Sequence, residues 1–423
     1  MLHVIYSFCY RLALPFALLY LWWQTRRNAG DSRGWQQRLG LLPATAEPVI
    51  WVHAVSVGET IAAAPLVKAL LERRPDVPVL MTAMTATGAA RARSLFGDRV
   101  ICAYSPFDTP GSVRRFLRRV RPRALVIMET ELWPNMIVET RRRHCPVFLV
   151  NARLSERSAR GYQLIGGWTR SLLGCLDWIA AQAEDDAARF REIGAAEDAV
   201  SVTGSIKFDV AITDDLRQGA RALRDSLSRR PVWIAASTHE GEDEQLLAAH
   251  VRVLEQLPQA LMVLVPRHPD RFETVAALTG SRQLSCVRRA SGQPVGAAQV
   301  YLGDTMGELM LMYGAADVAF VGGSLIERGG HNPLEPAAWG IPVITGPHVF
   351  NFETVYRQLE DGLGLVRVND ESDLAAQVIR LLSNPQQARE IGRSTLAVVE
   401  SNRGALDRVV SGVLSRLGPA ENS

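Results

Sequence analysis

The sequence predicts two Rossmann-like α/β domains on parallel sheets, preceded by an apolar N-terminal helix. Three observations carry this. Short Val/Ile/Leu-rich runs alternate with helical patterns from residue 49 onward. The runs are almost continuously apolar, as in strands covered on both faces of a parallel sheet. The two halves also begin alike. Residues 49–53 lead through Ser56-Val57-Gly58-Glu59 into a helical stretch, and residues 232–235 lead through Ser237-Thr238-His239-Glu240 into another. A chain of 423 residues exceeds one ordinary domain. Its 47% hydrophobic and 22% charged composition excludes a disordered, collagenous or disulfide-scaffold protein.

The elements follow in order. Residues 1–23 are mostly apolar, with Arg11 the one residue charged at neutral pH, and long enough to span about 30 Å of hydrocarbon as a helix. Leu21-Trp22-Trp23 offers no small-residue cleavage site, and the cations Arg26, Arg27, Arg33 and Arg38 follow the run rather than precede it. An uncleaved inner-membrane anchor with a cytoplasmic body is expected. Arg11 is costly in mid-membrane, so full spanning and an interfacial position both stay open. Strands are predicted at 49–53, 79–82, 124–128, 147–150 and 200–202, with helices such as 61–73 and 111–120 between them. In the second half they fall at 232–235, 261–265, 300–302, 318–321, 342–345 and 364–368. Residues 211–230 are charged and lack β-rich runs. The expected division is an anchor at 1–25, a Rossmann-like domain at 26–210, a linker at 211–230 and a second Rossmann-like domain at 231–423. Ligands of such sheets bind beyond the carboxyl ends of the strands, which points to an interdomain cleft.

The net charge of +3 hides an asymmetry. Residues 1–210 carry 27 Arg and Lys against 19 Asp and Glu, whereas residues 211–423 carry 20 against 25. Cations cluster at 113–121 and 141–143. No nucleic-acid module accompanies them, so an anionic membrane surface or lipid is the expected partner. Only Lys68 and Lys207 are lysines. The five cysteines are scattered without a C-x-x-C pair, which argues against a zinc site and a disulfide framework.

Candidate chemistry lies at predicted strand ends. Ser56 and Glu59 fit a capping box, and Glu59 also fits a general base whose pKa a closed cleft would raise. Glu129 and Glu131 directly follow a core strand and would share one side if that strand continued. Lys207, in Gly204-Ser205-Ile206-Lys207, offers a compact charge where arginine would present a fork. Arg267, after Pro266, could clamp an anion, and the Met306-Gly307-Glu308 turn could face a ligand. The densest signal is Gly322-Gly323-Ser324 followed by Arg328-Gly329-Gly330-His331-Asn332-Pro333-Leu334-Glu335. Asn332 suits an N-cap, Pro333 the first helical residue, and Glu335 either a cap or a partner of ribose hydroxyls. The glycines ahead would expose backbone N–H groups to a phosphate.

Together WVHAVSVGE (51–59), METELWPN (128–135), VNARLSERS (150–158), GSIKFD (204–209), STHEGE (237–242), VPRHPDRF (265–272), GDTMGEL (303–309) and GGHNPLEP (329–336) resemble the 3-deoxy-D-manno-octulosonic acid (Kdo) transferases of lipopolysaccharide synthesis. The resemblance covers nearly the whole chain in order. It implies a GT-B fold and transfer of Kdo from CMP-Kdo to the tetraacyl disaccharide precursor of lipid A, with inversion at the anomeric carbon. It implies Glu59 as general base, Glu129 and Lys207 assisting the transition state, and a CMP-binding set of Pro266, Arg267, Met306, Gly307, Glu308, Asn332, Pro333, Leu334 and Glu335. Neither cofactor nor metal is expected, because a nucleoside monophosphate leaving group requires no metal-held diphosphate and the chain has no D-x-D motif. A GT-B enzyme using a UDP-sugar on another lipid is the alternative.

Overall fold

The computed structural model describes residues 2–27, 34–227 and 230–417. It forms two compact units, Met1–Lys207 with Arg403–Ser423, and Phe208–Asn402. The first unit carries β1 (Ile50–His53), β2 (Val79–Ala83), β3 (Ile101–Tyr104), β4 (Ala124–Met128), β5 (Val147–Ala152), β6 (Trp178–Ala181) and β7 (Val200–Val202). They pair in the order β3-β2-β1-β4-β5-β6-β7, with every pair parallel. The second unit carries β8 (Val232–Thr238), β9 (Leu261–Pro266), β10 (Cys286–Arg288), β11 (Val300–Leu302), β12 (Val318–Val321), β13 (Val343–Thr345) and β14 (Leu365–Arg367). Their order is β10-β11-β9-β8-β12-β13-β14, again all parallel.

Each sheet is buried on both faces, which is why its strands read as apolar runs. Alternate residues of β1 feed opposite layers: Trp51 packs with Phe116 and Leu125, while Ile50 and Val52 pack with Leu66 and Val126. In both units the first strand lies between the second and a later one, β1 between β2 and β4, and β8 between β9 and β12. Chain direction across the sheet reverses there. The carboxyl ends of these strands open the crevice where such sheets bind ligands.

Two stretches sit differently from expectation. Residues 211–230 hold the helix Asp214–Ser226, capped by Thr213 Oγ1 on Leu216 N–H. Its buried Ala220 and Leu223, and a two-pronged Arg224–Asp317 pair at 3.0 Å, tie it into the second unit. Ser228 and Arg229 lie outside the described residues. At the other end, the helix Ala405–Leu417 belongs to the first unit, where Ala405, Val409, Val410 and Val413 join the core around Val52, Leu66 and Trp178. Residues 418–423 lie outside the described part.

The N-terminal helix Leu2–Arg27 contains one segment, Leu2–Leu19, long and apolar enough to cross a membrane. Val4, Phe8, Leu12, Phe16 and Leu19 are exposed on it, as is Arg11. Its first turns touch the first unit: Tyr6 OH donates to Asp108 Oδ2 and Ser7 Oγ to Asn135 Oδ1, both at 2.9 Å. Of the cations expected to flank it, Arg38 is buried, stacked on Tyr104 and donating to Met84 O, so it anchors the fold rather than meeting lipid. Arg33 and the side chains of Arg26 and Arg27 lie outside the described residues.

The basic stretch 113–121 is largely the helix Pro110–Val120, which buries Val113, Phe116, Leu117 and Val120. Its arginines do structural work. Arg114 pairs with Glu139 through two bonds of 2.7 and 2.8 Å, while Arg115, Arg119 and Arg121 donate to carbonyls of Leu39, Leu42, Thr45 and Ala46. All five cysteines are free.

Candidate active site

In the first unit the expected catalytic residues converge at the carboxyl ends of β1 and β4. Ser56 ends the turn after β1 in extended backbone and caps the helix Val57–Arg73 by accepting from Glu59 N–H. Glu59 answers with both oxygens, Oε2 accepting from Val55 N–H at 2.8 Å and Oε1 from the Ser56 hydroxyl at 3.0 Å. The capping arrangement is therefore present, and it fixes the carboxylate beside the ends of both strands. Burial raises the Glu59 pKa above the ordinary carboxylate range and nearby Glu129 adds to the rise, against the opposing hydrogen bonds from Val55 and Ser56.

Glu129 follows β4 with φ +57°, a left-handed backbone that ordinary residues seldom adopt. Its N–H still donates to Val150 O at 3.0 Å, the last rung before the chain turns away. Its Oε1 lies 2.9 Å from Lys207 Nζ. The strand does not persist to Glu131, so the expected i, i+2 alternation stops at Met128. The Glu131 carboxyl is nonetheless in this neighbourhood, its pKa raised first by burial and then by the Glu59 and Glu129 charges. Of these carboxyl groups, Glu129 is the one paired with the Lys207 ammonium.

Lys207 sits in the 3₁₀ turn Ile206–Phe208. That turn hangs on Asn151 at the end of β5, whose Oδ1 accepts from Ile206 N–H at 3.1 Å. Asn151 is fully buried and left-handed at φ +51°. Lys68 lies exposed on the helix Val57–Arg73.

In the second unit the expected nucleotide set lines the carboxyl ends of β9, β11 and β12. Pro266 ends β9, and Arg267 follows exposed, its N–H extending the ladder to Thr238 O at 3.0 Å. Met306 is exposed and Gly307 takes φ +86°. Glu308 is held by Arg289 through bonds of 2.8 and 3.0 Å and receives the Thr305 hydroxyl, with the arginine bonds lowering its pKa. Pro333 and Leu334 are buried at the start of the short helix Leu334–Ala338. The helix begins one residue later than expected, with Pro333 rather than Asn332 at its N-cap; Asn332 Oδ1 accepts from Leu334 N–H at 3.1 Å, and Asn332 Nδ2 lies 3.4 Å from Glu335 Oε1. Burial raises the Glu335 pKa.

The glycine-rich turn after β12 differs from expectation. The N–H groups of Gly323, Ser324 and Leu325 do not await a phosphate, because Glu242 fills the cradle with its own carboxylate at 2.7, 3.0 and 3.1 Å. Gly322, Gly330 and His331 donate to Ala236 O, Gly323 O and Gly322 O. The glycines are needed for packing: a Cβ on Gly322 would lie 2.7 Å from Ser237 O and 2.9 Å from Glu242 Oε2. Glu242 escaped sequence reasoning because its partners are more than 80 positions away.

A second feature escaped it too. His239, after β8, and His331 face each other with Nε2 atoms 2.7 Å apart and ring planes within 10°. His268 meets His239 edge-on at a centroid distance of 5.6 Å. His239 and His268 just after strands were the available signal, whereas His331 lies beyond the glycine-rich turn that follows β12. Among the described residues no group of three or more His, Cys, Asp or Glu is placed to hold a metal ion.

Comparisons with known proteins agree on one family. Residues 33–210 match the family model described as 3-Deoxy-D-manno-octulosonic-acid transferase (kdotransferase), and residues 243–396 match Glycosyl transferases group 1. The chain is 44% identical to the 3-deoxy-D-manno-octulosonic acid transferase of Haemophilus influenzae over 85% of each chain. It is 39% identical to the Bordetella pertussis protein of the same name, over 98% of this chain and 99% of the relative. Among solved structures, the UDP-GlcNAc 2-epimerase of Neisseria meningitidis matches 87% of this chain and all of its own with a TM-score of 0.56. At 16% identity that likeness concerns the fold alone. With its two parallel seven-stranded sheets of GT-B type and an apolar N-terminal helix, the chain is a glycosyltransferase belonging to the 3-deoxy-D-manno-octulosonic acid transferase family.

Proposed function

We propose that the enzyme transfers Kdo from CMP-Kdo to the tetraacyl disaccharide precursor of lipid A with inversion, on the cytoplasmic side of the inner membrane. The N-terminal helix anchors it there. The first unit binds the acceptor and the second, through Pro266, Arg267, Met306 to Glu308 and Asn332 to Glu335, binds CMP. The observation that carries the reading is the meeting of Glu59, Glu129 and Lys207 at the carboxyl ends of β1 and β4. Inversion requires one base and no covalent intermediate. A carboxylate whose pKa is raised by burial, fixed by Ser56 and Val55, suits removal of the acceptor hydroxyl proton. The Glu129–Lys207 pair supplies a fixed ammonium near the charge that develops.

The test uses the full-length enzyme in detergent with CMP-Kdo and the lipid acceptor. The product mass must rise by one or more Kdo units and CMP must be released. Release of CMP without a Kdo-bearing lipid, or a preference for UDP over CMP in a binding titration, overturns the proposal.

A further inference from the structure

Resting on the CMP-sugar reading above, we propose that His239 and His331 form a one-proton pair that receives the phosphate of the nucleotide and protonates it as it leaves. Their Nε2 atoms, 2.7 Å apart, leave room for a single hydrogen between them. One ring donates and the other accepts, so the acceptor carries its hydrogen on Nδ1. The pair can add one proton, on the free Nδ1 of the donor ring, and keep its bond. A second would set two N–H groups against each other.

The surroundings suit an anion. His239 is faced by Arg267, Arg271, Arg328 and His268, and His331 by Arg267 and His268. Among the neighbouring carboxylates Glu240, Asp270 and Glu327 are exposed, and the buried ones are committed elsewhere. Asp243 binds Arg271 and the Thr238 hydroxyl, Glu242 binds the turn after β12, and Glu335 is held by Asn332 within range of Arg267. Among the described residues the side chains of Arg267 and Arg328 make no hydrogen bond or ion pair, and both are exposed. Position agrees as well. His331 directly precedes Asn332 and His268 directly follows Arg267. Gly323, at φ +71°, lets the His331 ring approach, since a Cβ there would lie 3.3 Å from Nε2.

Burial, then the neighbouring histidines and arginines, hold both rings at about 4, so each is neutral near pH 7. A bound phosphate and the Kdo carboxylate oppose those cations and draw a proton onto the pair. During transfer the bond between the anomeric carbon and the phosphate oxygen breaks, and its electrons stay with that oxygen. The proton of the pair passes to it, giving CMP as a monoanion and returning the pair to neutrality. The new bond joins the anomeric carbon to the acceptor oxygen, whose proton goes to Glu59.

Calorimetric titration of the full-length enzyme with CMP and with cytidine, in buffers of different ionisation heat, tests this. Wild type is expected to take up a proton with CMP and none with cytidine. His331→Gln and His239→Gln are expected to lose about 10-fold or more in CMP affinity, as for a hydrogen bond to a charged group, and to lose the proton uptake while binding cytidine as before. Arg328→Gln, at an exposed position, provides a variant without a folding burden and is expected to weaken CMP in the same selective way. Unchanged CMP affinity and proton uptake in all three variants overturns the pair. Failure of the wild type itself to bind CMP overturns the CMP reading instead.

Discussion

Lys207 Nζ lies 2.9 Å from Glu129 Oε1, and the Glu59 and Glu131 carboxyls share that neighbourhood. The ammonium opposes the Glu129 charge that stands beside the other two carboxyls. Lys207→Ala removes it and leaves the Glu129 charge unopposed beside Glu59, whose pKa that charge already raises. The acid limb of activity is expected to move to higher pH in that variant, with kcat down at least about 10-fold. Lys207→Arg keeps the charge but replaces a point with a planar fork, and is expected to retain the limb while losing turnover. An unshifted limb in Lys207→Ala contradicts the coupling.

Glu59→Gln tests the base directly. It keeps an acceptor for Val55 N–H or the Ser56 hydroxyl, so the melting temperature should change little. Turnover should fall about 10²-fold or more, the usual contribution of a general base. Survival of turnover within a few-fold would leave Glu59 as a helix cap.

The pH dependence has a definite sign. A base works when deprotonated, and burial places the folded Glu59 pKa above the ordinary value. Activity is therefore full above that raised pKa and lost as pH falls through it. The acid limb of kcat/KM should lie above the ordinary carboxylate range and report the free enzyme. A limb at the ordinary range would contradict the burial argument.

Glu242→Ala should destabilise the second unit. It strands the N–H groups of Gly323, Ser324 and Leu325 in a buried turn, at a cost of roughly 3 kcal/mol or more. Glu242→Gln keeps one acceptor and should cost less. Urea unfolding at neutral pH would measure both, and an Ala variant as stable as wild type would refute this role.

Gly412→Ala is expected to destabilise the first unit, because a Cβ there would lie 2.2 Å from the Trp178 ring. Overpacking of this kind typically costs about 1–3 kcal/mol. Thermal unfolding followed by Trp fluorescence would detect it, and an unchanged melting temperature would show that the ring can yield.

Much of the fold was legible because parallel strands buried on both faces carry their own signal, as Ala124–Met128 and Val318–Val321 do. Cys286–Arg288 is a half-exposed edge strand of three residues, and Trp178–Ala181 has only Ile179 as a β-branched residue. Neither rises above a local pattern. The helix Asp214–Ser226 was hidden by its charges, since its buried face is little more than Ala220 and Leu223. Glu59, Glu129 and Lys207 could be named from strand ends and motif strings. Asn151, Glu242 and the His239–His331 pair could not, because their roles depend on partners brought close only by the completed sheets.

The return of the helix Ala405–Leu417 to the first unit has a consequence for synthesis. A chain emerging from the ribosome delivers all seven strands of that sheet by Val202, yet the flank at Trp178 where Gly412 packs stays uncovered until Val409, Val410 and Val413 appear. The second unit can close on itself before that moment. The unit that begins first therefore finishes last, holding an apolar flank open through the whole of its partner's translation. A stop codon a few turns early would leave both sheets intact and the first one permanently unsealed.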